Sequence, residues 1–147
     1  MHTNPPDPPD HDDCFAIRQA ARHISQLYER HLSEAEVTPT QFSILWALRR
    51  GSSLTMLELA QAMVMDRTTL VRALRPLLRH GLVAGEPDGQ GPRRLKVSLT
   101  RDGQVRLDEA MAFWRAAQDE FERKFGPQQA ASLRRELFRV TRDVSKA

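Results

Sequence analysis

Thr68, Thr69, Arg72, Arg75 and Arg79 are the side chains of this sequence best spaced for recognition chemistry. At 100° per residue, Thr68, Arg72, Arg75 and Arg79 fall on one face of a helix, and Leu70, Leu74, Leu77 and Leu78 on the opposite face. One side packs, and the other offers guanidinium forks and hydroxyls to an anionic surface. An arginine bonds guanine O6 and N7 in bidentate fashion, and a threonine gives thymine a hydroxyl or methyl contact. Thr68, Thr69 and Arg72 lie in the first two turns, the part of a recognition helix that reaches base edges. Arg67 opens the same helix, and Arg75 and Arg79 suit phosphates. Eight Lys or Arg in residues 67–101 stand against only Glu86 and Asp88, so this segment carries +6 in a chain of net charge +3. The positive charge is gathered where those residues sit, as an electrostatic footprint for duplex DNA requires.

Cys14 is the second group with chemistry to offer, and it is the sole cysteine. Its oxidised forms are therefore a sulfenic acid, a mixed disulfide or a bond between two chains. A helix N-terminus and Arg18 favour its thiolate, whereas Asp12 and Asp13 oppose it. The competing reading is a small hydrophobe packed at an interface. Phe15, Tyr28, Phe42 and Trp46 are candidates to gather as a small-ligand pocket between the DNA-reading segment and the helices around it. His11, Asp12, Asp13 and Cys14 are ligand types in a row, a spacing that builds no tetrahedral site. His23, His31 and His80 are isolated. With no glycine-rich phosphate loop, nucleophile elbow or paired carboxylates in a motif, no enzyme, metal or cofactor is expected. A metal-responsive regulator and a non-DNA interaction adaptor remain the alternatives.

The elements that must hold these residues follow from caps and periodicity. The chain has 147 residues, a length suited to one domain with a real core. Residues 1–12 read as a disordered lead-in, since the first 13 residues hold four prolines and four aspartates. They lack the charged and apolar regions of a signal peptide. No apolar run is long enough to span a membrane, and a lone cysteine suits a reducing cytoplasm. Asp13 is predicted to cap a first helix with a stripe through Ile17, Ala20, Ala21, Ile24, Leu27, Tyr28 and His31. Thr38, Pro39 and Gln41 open a second, which buries Phe42, Leu45, Trp46 and Leu48 and stops at Gly51. Thr55 and Glu58 box the start of a third. Asp66 caps the fourth, which Gly81 ends and Pro76 is expected to bend. Val64, in the turn between them, is expected to avoid positive φ unless the helix boundary lies elsewhere. Leu82 and Val83 begin a hairpin whose second strand alternates Leu95, Val97 and Leu99 with Lys96 and Ser98, around the turn-rich tip PDGQGPRR. Thr100 caps a long fifth helix with Leu107, Met111, Trp114, Phe121 and Phe125, and Gly126-Pro127 separates it from a sixth.

This makes a mainly α winged helix-turn-helix of six helices with a β-hairpin wing. The DNA-binding lobe spans residues 38–103, and residues 13–37 and 104–147 supply helices with apolar surface to spare. That surplus predicts a homodimer through Ile24, Leu133, Leu137 and Val140, able to read two half-sites one helical turn apart.

The segments TPTQFSILWAL, LELAQAM, MDRTTLVRALRPLLRHGLV and RRLKVSLTRDG, taken together, resemble the MarR family of winged-helix regulators over residues 14–144. The resemblance implies a homodimer that binds a pseudo-palindromic operator, usually as a repressor released by a small ligand or an oxidant. It also implies that Arg93 at the wing tip enters the minor groove, with Arg94 beside it. An acidic residue often stands two places before that arginine; here the place is Gly91, and Asp88 is the substitute. Cys14-Phe15-Ala16 with Tyr28 resembles the organic-hydroperoxide-sensing branch, where a cysteine near the start of the first helix is oxidised and tyrosines hydrogen-bond its sulfur. Two further tyrosines of that branch are replaced here by Arg18 and Pro39.

Overall fold

The computed structural model describes residues 9–89 and 94–145. The elements in chain order are α1 (Asp13–Leu32), a 3-10 turn (Ser33–Ala35), α2 (Pro39–Ala47), β1 (Ser53–Thr55), α3 (Met56–Met63), α4 (Arg67–Arg79), β2 (Val83–Pro87), β3 (Leu95–Leu99), α5 (Arg101–Phe125) and α6 (Pro127–Val144). Six helices and a small antiparallel sheet form the winged helix-turn-helix expected from the sequence.

Side chains set most of the boundaries. Thr38 and Gln41 exchange hydrogen bonds across the first turn of α2, and Thr55 and Glu58 do the same for α3. Asp66 accepts the Thr69 N–H at 2.7 Å and fixes where α4 begins. Each satisfies a backbone donor that a helix start leaves open. The cap of α1 is Asp12, one residue earlier than predicted, because its carboxylate accepts the Phe15 N–H while Asp13 is already helical. Residues 1–8 of the predicted lead-in lie outside the described residues.

Gly51, Trp46, Leu78 and Val64 depart from expectation. Gly51 does not cap α2, which ends at Ala47; Arg50 and Gly51 turn together at positive φ three residues later. Trp46 and Leu78 are exposed, and Ile44 takes the buried place predicted for Trp46. Val64 is the left-handed residue closing α3, at φ 53° and ψ 50°. A β-branched residue there carries strain of about 1–3 kcal/mol, against which the cap sets two hydrogen bonds: the Val64 N–H donates to the Gln61 carbonyl at 3.2 Å and the Met65 N–H to the Ala60 carbonyl at 2.9 Å. α4 runs unbroken through Pro76, whose carbonyl accepts the His80 N–H.

β1 adds a strand to the predicted hairpin. It is three residues long and pairs antiparallel with β3, giving the sheet order β1-β3-β2. A single buried core holds the lobe together, with Leu32, Ile44, Leu45, Leu48, Leu59, Leu70, Leu77 and Leu107 fully buried. Leu32 comes from α1 and Leu107 from α5, so the outer helices are rooted in the same core. Gly103 lets α5 approach this closely, since a Cβ there would fall far inside van der Waals contact with the Leu82 carbonyl oxygen.

Candidate nucleic-acid interface

The recognition face is built by the opposite face of the same helix. Leu70, Leu74 and Leu77 are buried beneath α4, which leaves Arg67, Thr68, Thr69, Arg72, Arg75 and Arg79 exposed. Arg67, Thr68, Val71, Arg72 and Arg75 border a shallow groove of about 260 Å³ on the outer surface. The Asp66 carboxyl at its edge is held below the usual carboxylate range, first by the Thr69 N–H, then by the Thr69 side chain and the Arg72 charge. It therefore stays charged at neutral pH and keeps the first turn of α4 formed where base contacts would be made.

The wing stands beside this face. In the register of β2 on β3, Glu86 faces Lys96 and Pro87 faces Leu95. The Asp88 N–H donates to the Arg94 carbonyl at 3.0 Å, and the Arg94 guanidinium returns to the Asp88 carboxylate at 3.2 Å. Asp88 thus holds Arg94; the predicted hold of Asp88 on Arg93 falls on a residue outside the described ones. β1 fastens the root of the wing, because Thr55 pairs with Lys96 while its side chain caps α3. Arg67 and Arg94 line one small depression between the recognition helix and the wing.

Arg67 also borders a larger cleft of about 590 Å³ between α3 and the end of α6, walled by Met56, Leu57, Val64 and Met65. A second large concavity, about 560 Å³, opens between α1, α5 and α6. Tyr28 lines it and donates its hydroxyl to Gln118 at 3.0 Å. Burial, and after it the Glu122 carboxylate, pushes the Tyr28 phenol up, with Arg134 opposing. Arg134 in turn pairs with Glu122 at 3.8 Å.

The four aromatic residues predicted to share a pocket are divided. Tyr28 lines the three-helix concavity. Phe42 is buried in a stack with Trp46 and Trp114, at centroid distances of 6.3 and 5.9 Å, and Arg49 lies over Trp46. Phe15 is half-buried near the start of α1. Cys14 is exposed. Tyr28 follows it by 14 residues on one helix, about 21 Å along the axis, so the two are not brought together within a chain. Of the residues predicted at a dimer contact, Ile24 is half-buried, and Leu133, Leu137 and Val140 are exposed. Ile17, Phe138 and Val144 extend the same apolar surface, and of these Phe138 was not named from the sequence. Gln118, Glu122 and Arg134 were missed as well, because no local spacing pairs residues across the Gly126-Pro127 break.

The described helices include none long and apolar enough to cross a membrane. The sequence model described as "MarR family" matches residues 35–94. The transcriptional regulator MosR of M. tuberculosis, in its crystal structure with DNA, is 33% identical; the match covers 91% of this chain and 96% of that one, with a TM-score of 0.79. The organic hydroperoxide resistance transcriptional regulator of Bacillus subtilis is 24% identical over 98 residues, 67% of each protein. The regulator SarZ of Staphylococcus aureus is 26% identical over 92 residues, which are 63% of this chain and 62% of SarZ. Family match, near full-length identity and the geometry of α3, α4 and the wing agree: the chain belongs to the MarR family of winged helix-turn-helix, DNA-binding transcription regulators.

Proposed function

We propose that the protein is a homodimeric, sequence-specific repressor of the cytoplasm that binds a pseudo-palindromic duplex and is released by a small ligand or by an oxidant at Cys14. Residues 38–103 form the DNA-reading lobe; residues 13–37 and 104–147 pair the two copies. Thr68, Thr69 and Arg72 read bases, Arg67, Arg75 and Arg79 hold phosphates, Arg93 enters the minor groove, and Arg94 beside it adds sequence-tolerant affinity for the backbone. The carrying observation is that Arg72, Arg75 and Arg79 are exposed on the face of α4 opposite its buried leucines, with Arg67 exposed at the start of the helix and Arg94 held beside them. A binding titration on the DNA flanking its own gene tests this. Saturable affinity that random DNA of equal length fails to match is expected, and equal affinity for both would refute sequence reading.

Release through Cys14 is supported by its exposure at the start of α1 and by the likeness to a regulator named for organic hydroperoxide resistance. Because about 21 Å of helix separates them, a contact between Cys14 and Tyr28 belongs to the dimer, with each residue from a different copy. Cumene hydroperoxide should weaken operator binding, dithiothreitol should restore it, and Cys14→Ser should bind normally but ignore the peroxide. Equal loss of binding by wild type and Cys14→Ser would assign release to a noncovalent ligand.

A further inference from the structure

We infer that Thr100 is a positioning residue: its hydroxyl ties the end of the recognition helix to α5 and thereby sets which half-site spacing the protein accepts. The inference rests on the proposed reading of two half-sites by two lobes, and it names the side chain that holds each lobe at its angle.

α4 and α5 share little surface. α4 packs chiefly on α2, α3 and β2, and α5 on α1, α2, α6, β3 and the 3-10 turn. The two meet at the turn that ends α4. There the Gly81 N–H donates to the Leu78 carbonyl at 3.1 Å and the Leu82 N–H to the Leu77 carbonyl at 2.9 Å, with Gly81 at φ 70°. Thr100 takes both carbonyls of that turn: its N–H donates to Leu82 at 3.1 Å and its hydroxyl to Gly81 at 2.5 Å. The same hydroxyl accepts the Gly103 N–H at 3.0 Å as the cap of α5. A hydroxyl has one proton to give and two lone pairs, so both bonds form at once. One oxygen thus closes off the recognition helix and starts α5. Among the described residues, no other side-chain hydrogen bond or ion pair joins α4 or its closing turn to α5.

Packing at this joint sets closeness but not angle. Gly103 lies against the Leu82 carbonyl with no side chain to key it in place, and apolar contact has no preferred direction. A hydrogen bond does, and it weakens steeply as its angle departs from linear. Thr68, Thr69 and Arg72 lie toward the far end of α4, whose 13 residues span about 20 Å. An error of angle at the joint therefore reaches them enlarged. Moving one half-site by a base pair displaces it by about 3.4 Å and turns it about 35° around the duplex. Lobes that follow such a shift must swing on α5, at the expense of the bond from Thr100 to Gly81 in each copy.

Three variants of the full chain separate the joint from the cap. Thr100→Ser keeps both bonds. Thr100→Asp keeps the cap, as Asp12 and Asp66 cap α1 and α4, but its carboxylate has no proton to give and repels the Gly81 carbonyl. Thr100→Ala loses both. Each is titrated by fluorescence anisotropy against the operator fragment from the DNA flanking its own gene, and against that fragment with one base pair inserted or deleted between the half-sites. Wild type and Thr100→Ser should lose at least about tenfold in affinity on the shifted duplexes, as much as a mismatched base pair costs. For Thr100→Asp that penalty should shrink about fivefold or more, the worth of one hydrogen bond in each copy, while affinity for a single half-site stays as in wild type. Thr100→Ala should show the same relaxed ratio, so either folded variant decides the matter. A role in stability alone would lower the melting temperature and leave the ratio between duplexes at the wild-type value; that result overturns the assignment. So does a Thr100→Ser that tolerates the shift as Thr100→Asp does, because the hydroxyl is then not what holds the angle. Wild type indifferent to spacing would instead refute the reading of two half-sites, and the role of Thr100 would fall with it.

Discussion

Arg72 stands in the second turn of α4, exposed, with the leucines of the same helix locked beneath it. The helix backbone that carries it is thereby fixed, and its planar fork is pre-organised for a bidentate contact. Arg72→Ala should therefore cost about 1–3 kcal/mol of operator affinity and relax the preference at one position in each half-site, measured by titration against a panel of single-base variants. A loss that is uniform over all sequences would place Arg72 among the phosphate contacts. At this scale the sequence is largely legible. The caps at Thr38, Thr55 and Asp66 depend on residues three apart, and the face of α4 follows from helical spacing, so both are local facts. Val64 is not legible: it closes α3 as a left-handed cap with its side chain largely exposed, and valine's own preference argues against that conformation.

Among the elements, the wing and the start of α5 depend on long-range contacts. β1 is too short for an alternating pattern to declare itself, and it exists because β3 offers a free edge for Ser53, Leu54 and Thr55 to pair with. Hydrophobicity alone puts Trp46 in the core, yet it sits exposed, with Arg49 covering its ring. Two outcomes test elements. Replacing Arg93 and Arg94 together by alanine should flatten the dependence of log affinity on log salt by about 0.9 for each phosphate no longer neutralised; an unchanged slope in folded protein would keep the wing clear of DNA. Gly103→Ala should lower the melting temperature clearly and destabilise by about 1–3 kcal/mol, as overpacking does, because the added methyl meets the Leu82 carbonyl. A neutral result would show that α5 can slide away from the turn after α4.

The whole molecule carries apolar surface it does not cover. From Ala131 onward α6 buries no residue fully, and Leu137 and Phe138 are 42% and 67% exposed. The first half of α1 is similarly bare, with Ile17, Ala20 and Ala21 exposed. A contiguous patch of this kind marks a partner surface, and a second copy completes the proposed repressor. Leu137→Asp would bury an unpaired carboxylate there, so it should give a monomer by light scattering and lose operator affinity along with the second half-site. A monomer with full affinity for the palindrome would contradict this assembly. The surplus is legible as stripes in α1 and α6, whereas the contacts between helices are not, since they depend on how α6 turns at Gly126. One consequence lies in α5 itself. It runs 25 residues without a break, about 37 Å, from the root of the wing to the far end of the molecule. A rod of that length works as a lever: rotation by about 5° at one end displaces the other by about 3 Å, the length of a hydrogen bond. In the proposed dimer, two such rods would set the distance between two reading heads that must match one turn of duplex, about 34 Å. Whatever tilts them can shift the protein out of phase with its operator while each lobe keeps its internal shape, and the span between lobes then becomes the regulated quantity.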